Sequence, residues 1–462
     1  MRQHSSTMRK NERLALVFMA VLFAICESAS ATGFFINQQS VKGRGRVDAG
    51  NSTAADDLGT IFFNPAGLIQ LRRSAQFDNA DEPGDWRFSI GTQLIVPRSR
   101  QTNTGSTAAT PGTLGTFAPY AGTDFTNPTN PSPIPNLYAA KWFADGKGAL
   151  AFALNVPFGL KTEFDPAWYG RYDATEASLR TFNLSLVGAY EVSPRLSIGG
   201  GLDVQYARAT LSSAIPKPEN PGGPTVATDG QISTVGHAWT PGFNVGLIYN
   251  LDDKAQTRIG VHYRSGMTHH ISGTTTIANL TGFTAGLNGT FGIHSDLKLP
   301  GIATAGIWHN VTPDLAVLGE IEWYNWSKFN EIRIRFDNGL PDAVRAANYR
   351  DTFAVAVGAE YQARKDLKVR GGVKFDRTPT TDSFRDTTVP DADRLWLGLG
   401  ASYRFSKMTN LDFAFNHVFF RDTNVAVTRT FFDGTALATS VRVNGAVKNT
   451  VNTIALELRF AY

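Results

Sequence analysis

Apolar and polar residues alternate along most of this chain. In RLWLGLGASYRF, Leu395, Leu397, Leu399, Ala401, Tyr403 and Phe405 fall on one side, and Arg394, Trp396, Gly398, Gly400, Ser402 and Arg404 on the other. TFAVAVGAEY sets Phe353, Val355, Val357, Ala359 and Tyr361 against Thr352 and Glu360. TIALELRFAY at the C-terminus sets Ile454, Leu456, Leu458, Phe460 and Tyr462 against Thr453, Glu457 and Arg459. Side chains of a strand point alternately to its two faces, so a period of two predicts strands with one apolar face. The second face is small or charged.

The connections decide between a soluble sandwich and a membrane barrel. Short turns at 144–147, 191–195, 251–256, 310–314, 363–366 and 406–410 take turns with longer Gly/Pro-rich stretches near 103–132, 165–173, 213–236, 278–291, 337–348, 379–390 and 430–440. They delimit fourteen strands, at 86–102, 133–144, 148–164, 174–192, 196–212, 237–251, 257–277, 292–311, 315–336, 349–363, 367–378, 391–406, 409–429 and 441–462. Short turns at one end and long loops at the other is the arrangement of outer-membrane barrels. In lipid the sheet must close, because an open edge leaves backbone groups unpaired. The expected fold is therefore all-β, a fourteen-stranded antiparallel transmembrane barrel. Several strands exceed the ~10 residues that cross a membrane and should project on the long-loop side. The alternating Leu458, Phe460 and Tyr462 suit presentation of the last strand to a barrel-assembly machinery.

The N-terminus adds an address. Arg2, Arg9, Lys10 and Arg13 precede an apolar stretch from Leu14 to Ile25 and a small-residue site at Ala29 to Ala31, the three parts of a secretory signal. The stretch is too short for a spanning helix, which needs about 20 residues. Cleavage is expected after Ala31. Cys26, the single cysteine, falls in this segment, so the remainder has no thiol for disulfides, iron–sulfur clusters or cysteine-bound zinc. The formal charge is +4. The signal carries four basic and two acidic residues, which leaves +2 for the rest and argues against nucleic acid as a partner. A mean hydropathy of −0.17 fits a barrel, in which only alternate residues face lipid.

Residues 32–73 break the rhythm. GFFINQQSVKGRGRVDAGNSTAADDLGTIFFNPAGLIQLRR holds short apolar groups and an Asn64-Pro65 corner leading into Ala66. Pro65 lacks a backbone donor, and Asn64 can bond its own local backbone. A piece of this size does not fold alone, so it is expected as a plug, or hatch, packed inside the barrel. The division is then a signal at 1–31, the hatch at 32–73 and the barrel at 74–462.

The ordered pieces GFFINQQSVKGRGRV, AADD, NPA, FGLKTEF, NLSLVGAYEVSPRLSIGGGLDVQYARA, YRS, YNWSKF, RDTFAVAVGAEY and VPDADRLWLGLGASYRF span the chain beyond the signal. In this order the chain resembles the FadL family of outer-membrane transporters for long-chain fatty acids and other hydrophobic molecules. A plugged barrel with no obvious interface stripe is expected to be a monomer. The resemblance implies a Gram-negative outer membrane. It implies capture of a hydrophobic ligand at extracellular loops, a pocket in the barrel, and sideways release past the hatch without fuel. It also implies an inward kink in the third strand, placed here at Pro157, Phe158 and Gly159. Pro157 removes a ladder donor and Gly159 weakens the strand. For a fatty carboxylate the pocket needs a basic group, and Arg208 and Arg345 are the candidates. The base that fatty acid members carry shortly after YARA is missing, since TLSSAIPK offers none before Lys217. Phe34 and Phe35 are expected to line the pocket. Asn64, Pro65 and Ala66 are expected to shape the gating hatch. The aromatic FDPAWYGRY stretch is expected as an outer contact.

Other signals carry less. His269 and His270 point to opposite faces of a strand and chelate poorly together, so no metal is expected. Gly199 to Gly201 have no helix after them and suit packing against the hatch rather than phosphate. No spaced Ser/His/acid set is evident; His417 is the most enzyme-like residue. No catalytic residue and no cofactor is expected. The alternatives are uptake of neutral aromatic or aliphatic hydrocarbons and, from another class, an outer-membrane lipid hydrolase. The expected surroundings are outer-membrane lipid and lipopolysaccharide.

Overall fold

The computed structural model describes residues 33–73, 85–127, 130–406 and 409–461. The signal-like segment 1–31 and the terminal Tyr462 lie outside the described residues. Fourteen strand positions follow one another: β1 (Trp86–Asn103), β2 (Ser132–Phe143), β3 (Gly148–Asn155 and Gly159–Glu163), β4 (Glu176–Ser193), β5 (Leu196–Ile215), β6 (Gly230–Asn250) and β7 (Thr257–Arg264 and Met267–Ala278). The second half is β8 (Gly289–Leu299 and Ile302–Asn310), β9 (Leu315–Tyr324 and Glu331–Phe336), β10 (Thr352–Arg364), β11 (Leu367–Asp376), β12 (Arg394–Arg404), β13 (Thr409–Phe420 and Thr423–Phe431) and β14 (Thr439–Ala461). Each pairs antiparallel with the next, and β14 returns to β1 from Arg87↔Ala461 to Asn103↔Gly445. The barrel is closed.

Burial separates its two faces. Leu186 (62% exposed), Leu202 (68%) and Leu399 (68%) point outward, whereas Trp396, Glu360 and Lys374 on the alternate face are buried. An outer surface made of large apolar side chains faces lipid, not water. Strands β5 and β6 are longer than the pattern predicts. β6 begins at Gly230 rather than at 237 and pairs from Gly230↔Ile215 upward. GQISTVG is rich in Gly, Ser and Thr and reads as loop by composition; ladder pairing with β5 overrides that.

The lumen holds the described N-terminal residues as four short helices: α1 (Val41–Gly45), α2 (Asn51–Ala54), α3 (Thr60–Phe63) and α4 (Gly67–Arg73). The Ser40 side chain caps α1 by accepting from Gly43 N–H. Helices of one or two turns are not stable by themselves; the barrel wall holds these. Lys374 Nζ donates to Asp48 at 2.9 Å and Glu322 at 2.5 Å, and Arg46 pairs with Asp56 at 2.9 Å and with Glu360. Ser52 Oγ donates to Glu320 at 2.9 Å, and Arg258 Nε to the Thr53 carbonyl at 2.7 Å. Removing one partner of a buried pair costs about 3–5 kcal/mol, so these contacts fix the body of the hatch. The wall is thinned where hatch backbone touches it. A Cβ on Gly199 would sit 2.5 Å from Ala66 N, and one on Gly372 would sit 2.3 Å from the Arg46 carbonyl oxygen. The first of the three glycines at 199–201 therefore packs against the Asn-Pro corner.

Candidate functional site

The third strand is interrupted. Its first segment pairs with β2 from Phe143↔Gly148 to Leu137↔Leu154, and there the β2–β3 ladder stops. Its second segment, Gly159–Glu163, pairs with β4 alone. Val156, Pro157 and Phe158 lie between. Buried backbone groups need partners, and the hatch supplies most of them. Ile36 N–H donates to the Pro157 carbonyl at 2.8 Å, Gly159 N–H donates to the Phe34 carbonyl at 2.9 Å, and Gln39 Nε2 donates to the Val156 carbonyl at 2.8 Å. Thr181 serves both backbone groups of Phe158, accepting from its N–H at 3.0 Å and donating to its carbonyl at 2.6 Å. The start of the hatch thus replaces the missing strand partner at the kink, with Phe35 and Phe158 in an antiparallel bridge. Ile36, Ile95, Ile134 and Val156 form one buried apolar cluster beside it.

On the long-loop side of the kink lies an apolar cavity of about 130 Å³. Phe34 forms part of its wall, with Leu160, Leu179, Leu211, Leu297 and Phe329. The Phe34 ring packs edge-on against Trp326 at 4.8 Å and Phe329 at 5.3 Å. Phe35 does not line the cavity; it turns to Phe158 at 5.3 Å and Tyr324 at 5.4 Å.

Arg345 reaches the cavity from the long-loop segment after β9. Its Nη2 donates to the Asp173 carbonyl at 2.7 Å, while its Nη1 is buried with no hydrogen-bond acceptor, the Asp173 and Asp386 carboxylates standing 3.6 and 4.0 Å away. Burial alone would push the Asp173 carboxyl up. Arg429 and Arg345, with two bonds from Thr387, instead hold it at about 2. This cluster ties the β3–β4 loop to the β11–β12 loop over the cavity.

Arg208 is corrected by the structure. It lies on the outer face of β5, exposed, in register with Arg180 and His237. The inward residues of that stretch are Asp203, Gln205 and Ala207. A period of two could have shown this, because Arg208 shares its face with Leu202, Val204 and Tyr206. The FDPAWYGRY stretch is also not offered to solvent: Trp168, Tyr169 and Tyr172 are buried, and Trp168 stacks on Phe164 at 3.7 Å.

Asn64 sits away from the kink. Its Nδ2 donates to the Ser52 carbonyl at 2.8 Å and to the Leu247 carbonyl of β6 at 3.0 Å, while its Oδ1 accepts from Ala66 N–H at 3.2 Å. Asn64, Pro65 and Ala66 therefore tie the hatch body to the wall. His269 faces inward, to Thr240 and Gln205, and His270 faces outward, to Asp296. His417 bonds Asn452 at 2.8 Å. The residues that sequence reasoning missed are Asp173, Thr387 and Arg429, which meet from two loops and from β13, far apart in the chain.

A closed barrel with an apolar outer face and a lumen holding the hatch is the architecture of an outer-membrane protein. The sequence profile of outer membrane protein transport proteins (OMPP1/FadL/TodX) matches residues 22–462, and the chain belongs to that family. It is 26% identical to outer membrane protein P1 of Haemophilus influenzae, over 97% of this chain and 99% of that one. It is 28% identical to the long-chain fatty acid transport protein of Salmonella typhi, over 85% and 89%. Among solved structures, a Pseudomonas aeruginosa FadL homologue superposes with a TM-score of 0.78 at 20% identity, covering 93% of this chain and 99% of the other. The toluene transporter TodX of Pseudomonas putida gives 0.60 at 16%, covering 88% and 94%. These likenesses fix the fold and an outer-membrane transport role.

Proposed function

We propose that this protein carries long-chain fatty acids, or closely similar hydrophobic acids, passively across the outer membrane and releases them sideways at the break in β3. One observation carries the reading. The apolar cavity is walled by the start of the hatch and contains a basic group, Arg345, whose Nη1 lacks an acceptor. A fatty carboxylate provides that acceptor while its chain lies along Leu160, Leu179, Leu211 and Leu297. Each buried CH₂ contributes about 0.8 kcal/mol, so release requires the cavity to be disrupted.

The size of the cavity says how. About 130 Å³ is close to the ~150 Å³ cavity that accepts one benzene ring. A long acyl chain needs more room, and displacing Phe34 provides it. The Phe34 carbonyl also holds Gly159 N–H, and Ile36 N–H holds the Pro157 carbonyl. Chain entry, movement of the hatch end and unpairing of the kink are therefore one event. The named fatty acid transporters among its relatives support this reading.

Neutral hydrocarbons are the second reading. It is favoured by the same single-ring volume and by the nearness of Asp173 and Asp386 to Arg345. Arg345→Ala separates the two. A charge-assisted hydrogen bond contributes ~1.5–3 kcal/mol, so a fatty acid should bind about tenfold to a hundredfold more weakly and a matched alkane equally well. Both ligands are measured on both proteins in one detergent. Equal, small changes would reject the carboxylate contact and move the reading to hydrocarbons.

A further inference from the structure

A second break in the wall lies between β8 and β9. The two strands pair from Asn310↔Ala316 to Ile302↔Tyr324, and pairing resumes only from Ser295↔Ile334 to Ile293↔Phe336. Between these ladders β8 runs through 296–301 and β9 through 325–333, six residues against nine. Part of the excess curls into a single 3₁₀ turn, Trp326–Lys328. Extra residues on one strand leave backbone unpaired and bend that strand away from its partner. The turn is held from its other side. Ser327 N–H donates to Asp351 at 2.9 Å, and the Asn330 carbonyl accepts from Ala347 N–H at 2.8 Å, both donor and acceptor partners lying just before β10.

Both edges of the break line the apolar cavity on the inside and a crevice on the outside. Leu297 of β8 and Phe329 and Ile332 of β9 face the cavity. Lys298 and Leu299 of β8 and Ser327 and Lys328 of β9 line an external crevice of about 640 Å³. Between the two stand side chains rather than a ladder. Leu299, Trp326 and Phe329 are buried in one apolar cluster, and Leu297 and Ile332 pack against it. Phe34 backs this cluster from the hatch, 4.8 Å from Trp326, and the buried Trp326 Nε1 has no acceptor among the described residues to pin its ring. The crevice lies where the lipid-facing surface ends. Each of three strands changes character across its own break, from Tyr263 to Thr268 in β7, from Ile307 to Lys298 in β8 and from Trp323 to Lys328 in β9, all exposed. Tyr and Trp are enriched at such a boundary.

We infer that the break between β8 and β9 is a side entrance to the cavity, through which the chain of a long-chain acid passes from the membrane boundary while its carboxylate stays in the polar crevice. The inference rests on the cavity being the ligand site of the transport reading. An amphiphile at a membrane boundary already has its tail in lipid and its head in water, which is the orientation this passage requires. The two breaks in the wall differ in what fills them. At β3 the hatch backbone replaces the missing strand, so that break opens only when the hatch end moves. Here Leu297, Leu299, Phe329 and Ile332 fill the space, and rotation of side chains opens it with the hatch in place. Entry and exit are thereby separated: the acid reaches the cavity while the break in β3 is still sealed.

The test closes the break with a covalent bond. Extending the Ser295↔Ile334 register would set Leu297 opposite Ile332. Leu297→Cys with Ile332→Cys, in protein carrying Cys26→Ser, therefore allows a disulfide that draws the two edges to about 5.5 Å between Cα atoms. The protein is refolded into lipid vesicles and mixed with a fluorescent conjugated-polyene fatty acid, and association is followed by energy transfer from tryptophan. The oxidised protein should associate at least tenfold more slowly than the same protein reduced. A second variant, Ser327→Cys, carries a bulky maleimide in the crevice and should slow association likewise, while the same label on Lys254→Cys, exposed at a short turn, should not. If the disulfide does not form, the crevice label decides. Association that is unchanged by the crevice label, or by a disulfide shown to be complete, overturns the entrance. Uptake of fatty acid by cells is read separately. The rate effect without uptake keeps the entrance and refutes the transport reading; uptake without the rate effect does the reverse.

Discussion

Phe34 connects the cavity to the kink, and truncating it shows how firmly the hatch end is held. Its ring is 3% exposed and contacts Trp326, Phe329 and Phe158, at centroid distances of 4.8, 5.3 and 6.3 Å. Phe→Ala in a packed core costs about 3–5 kcal/mol. One side of this ring borders a cavity, so the low end, about 3 kcal/mol, applies. The loss does not unfold the barrel, because fourteen strand ladders do not involve Phe34. It acts on residues 33–36, which are held by aromatic contacts and by backbone bonds to Pro157, Gly159 and, through Gly33 N–H, to Asp391. At about 1.4 kcal/mol per decade, 3 kcal/mol is roughly a hundredfold rise in the population of the released end.

Hydrogen exchange reads this directly. In Phe34→Ala, peptides covering 33–40 and 155–160 should exchange about a hundredfold faster, since the Ile36 and Gly159 amides lose their partners together. Peptides covering 41–58 should not change, because Lys374, Arg46 and Glu320 hold that part of the hatch. Unchanged protection at the kink would refute the coupling between hatch end and wall. Loss spread evenly over the hatch would refute the division into a fixed body and a movable end.

Three further outcomes follow from the same contacts. Pro157→Val with Gly159→Val restores a regular strand, so β2–β3 pairing should extend past Leu137 and ligand release should slow while capture persists; unaltered uptake would remove the lateral exit. Asn64→Ala with Pro65→Ala removes the bonds to Ser52 and Leu247 and leaves strand pairing intact, so single-channel conductance should rise by a few-fold in a folded barrel; native conductance and transport would leave the corner no role in sealing. Asp173 is held at about 2, below the ordinary value of 3.8, so its contribution of about 2 kcal/mol is complete above pH 4 and is lost as pH falls toward 2. Pepsin should therefore cut the 164–175 loop only below about pH 3, and trypsin should cut Asp173→Asn at Arg171 already at pH 7; cleavage of the native loop at pH 4 would contradict the lock.

Much of the architecture was legible from local signals. Period-two alternation and turn composition locate fourteen strands because each strand must put apolar residues toward lipid and each reversal needs turn residues. The same parity, applied consistently, puts Arg208 outside with Tyr206. Pro157 and Gly159 mark the broken strand because one lacks a donor and the other a side chain to pack. The site itself belongs to the tertiary structure. Nothing local to Phe34 indicates that its carbonyl replaces a strand partner at Gly159, more than a hundred residues on. Asp173 and Thr387 come from separate loops, Arg345 from the paired segment after β9 and Arg429 from β13, and closure of the barrel alone brings them over one cavity. Composition cannot tell that the Arg345 Nη1 donor stands beside the cavity without an acceptor, since that depends on where each carboxylate stops. Phe34 and Phe35 are alike and adjacent in sequence; because the bridge to Phe158 fixes the backbone, one faces the cavity and the other the wall.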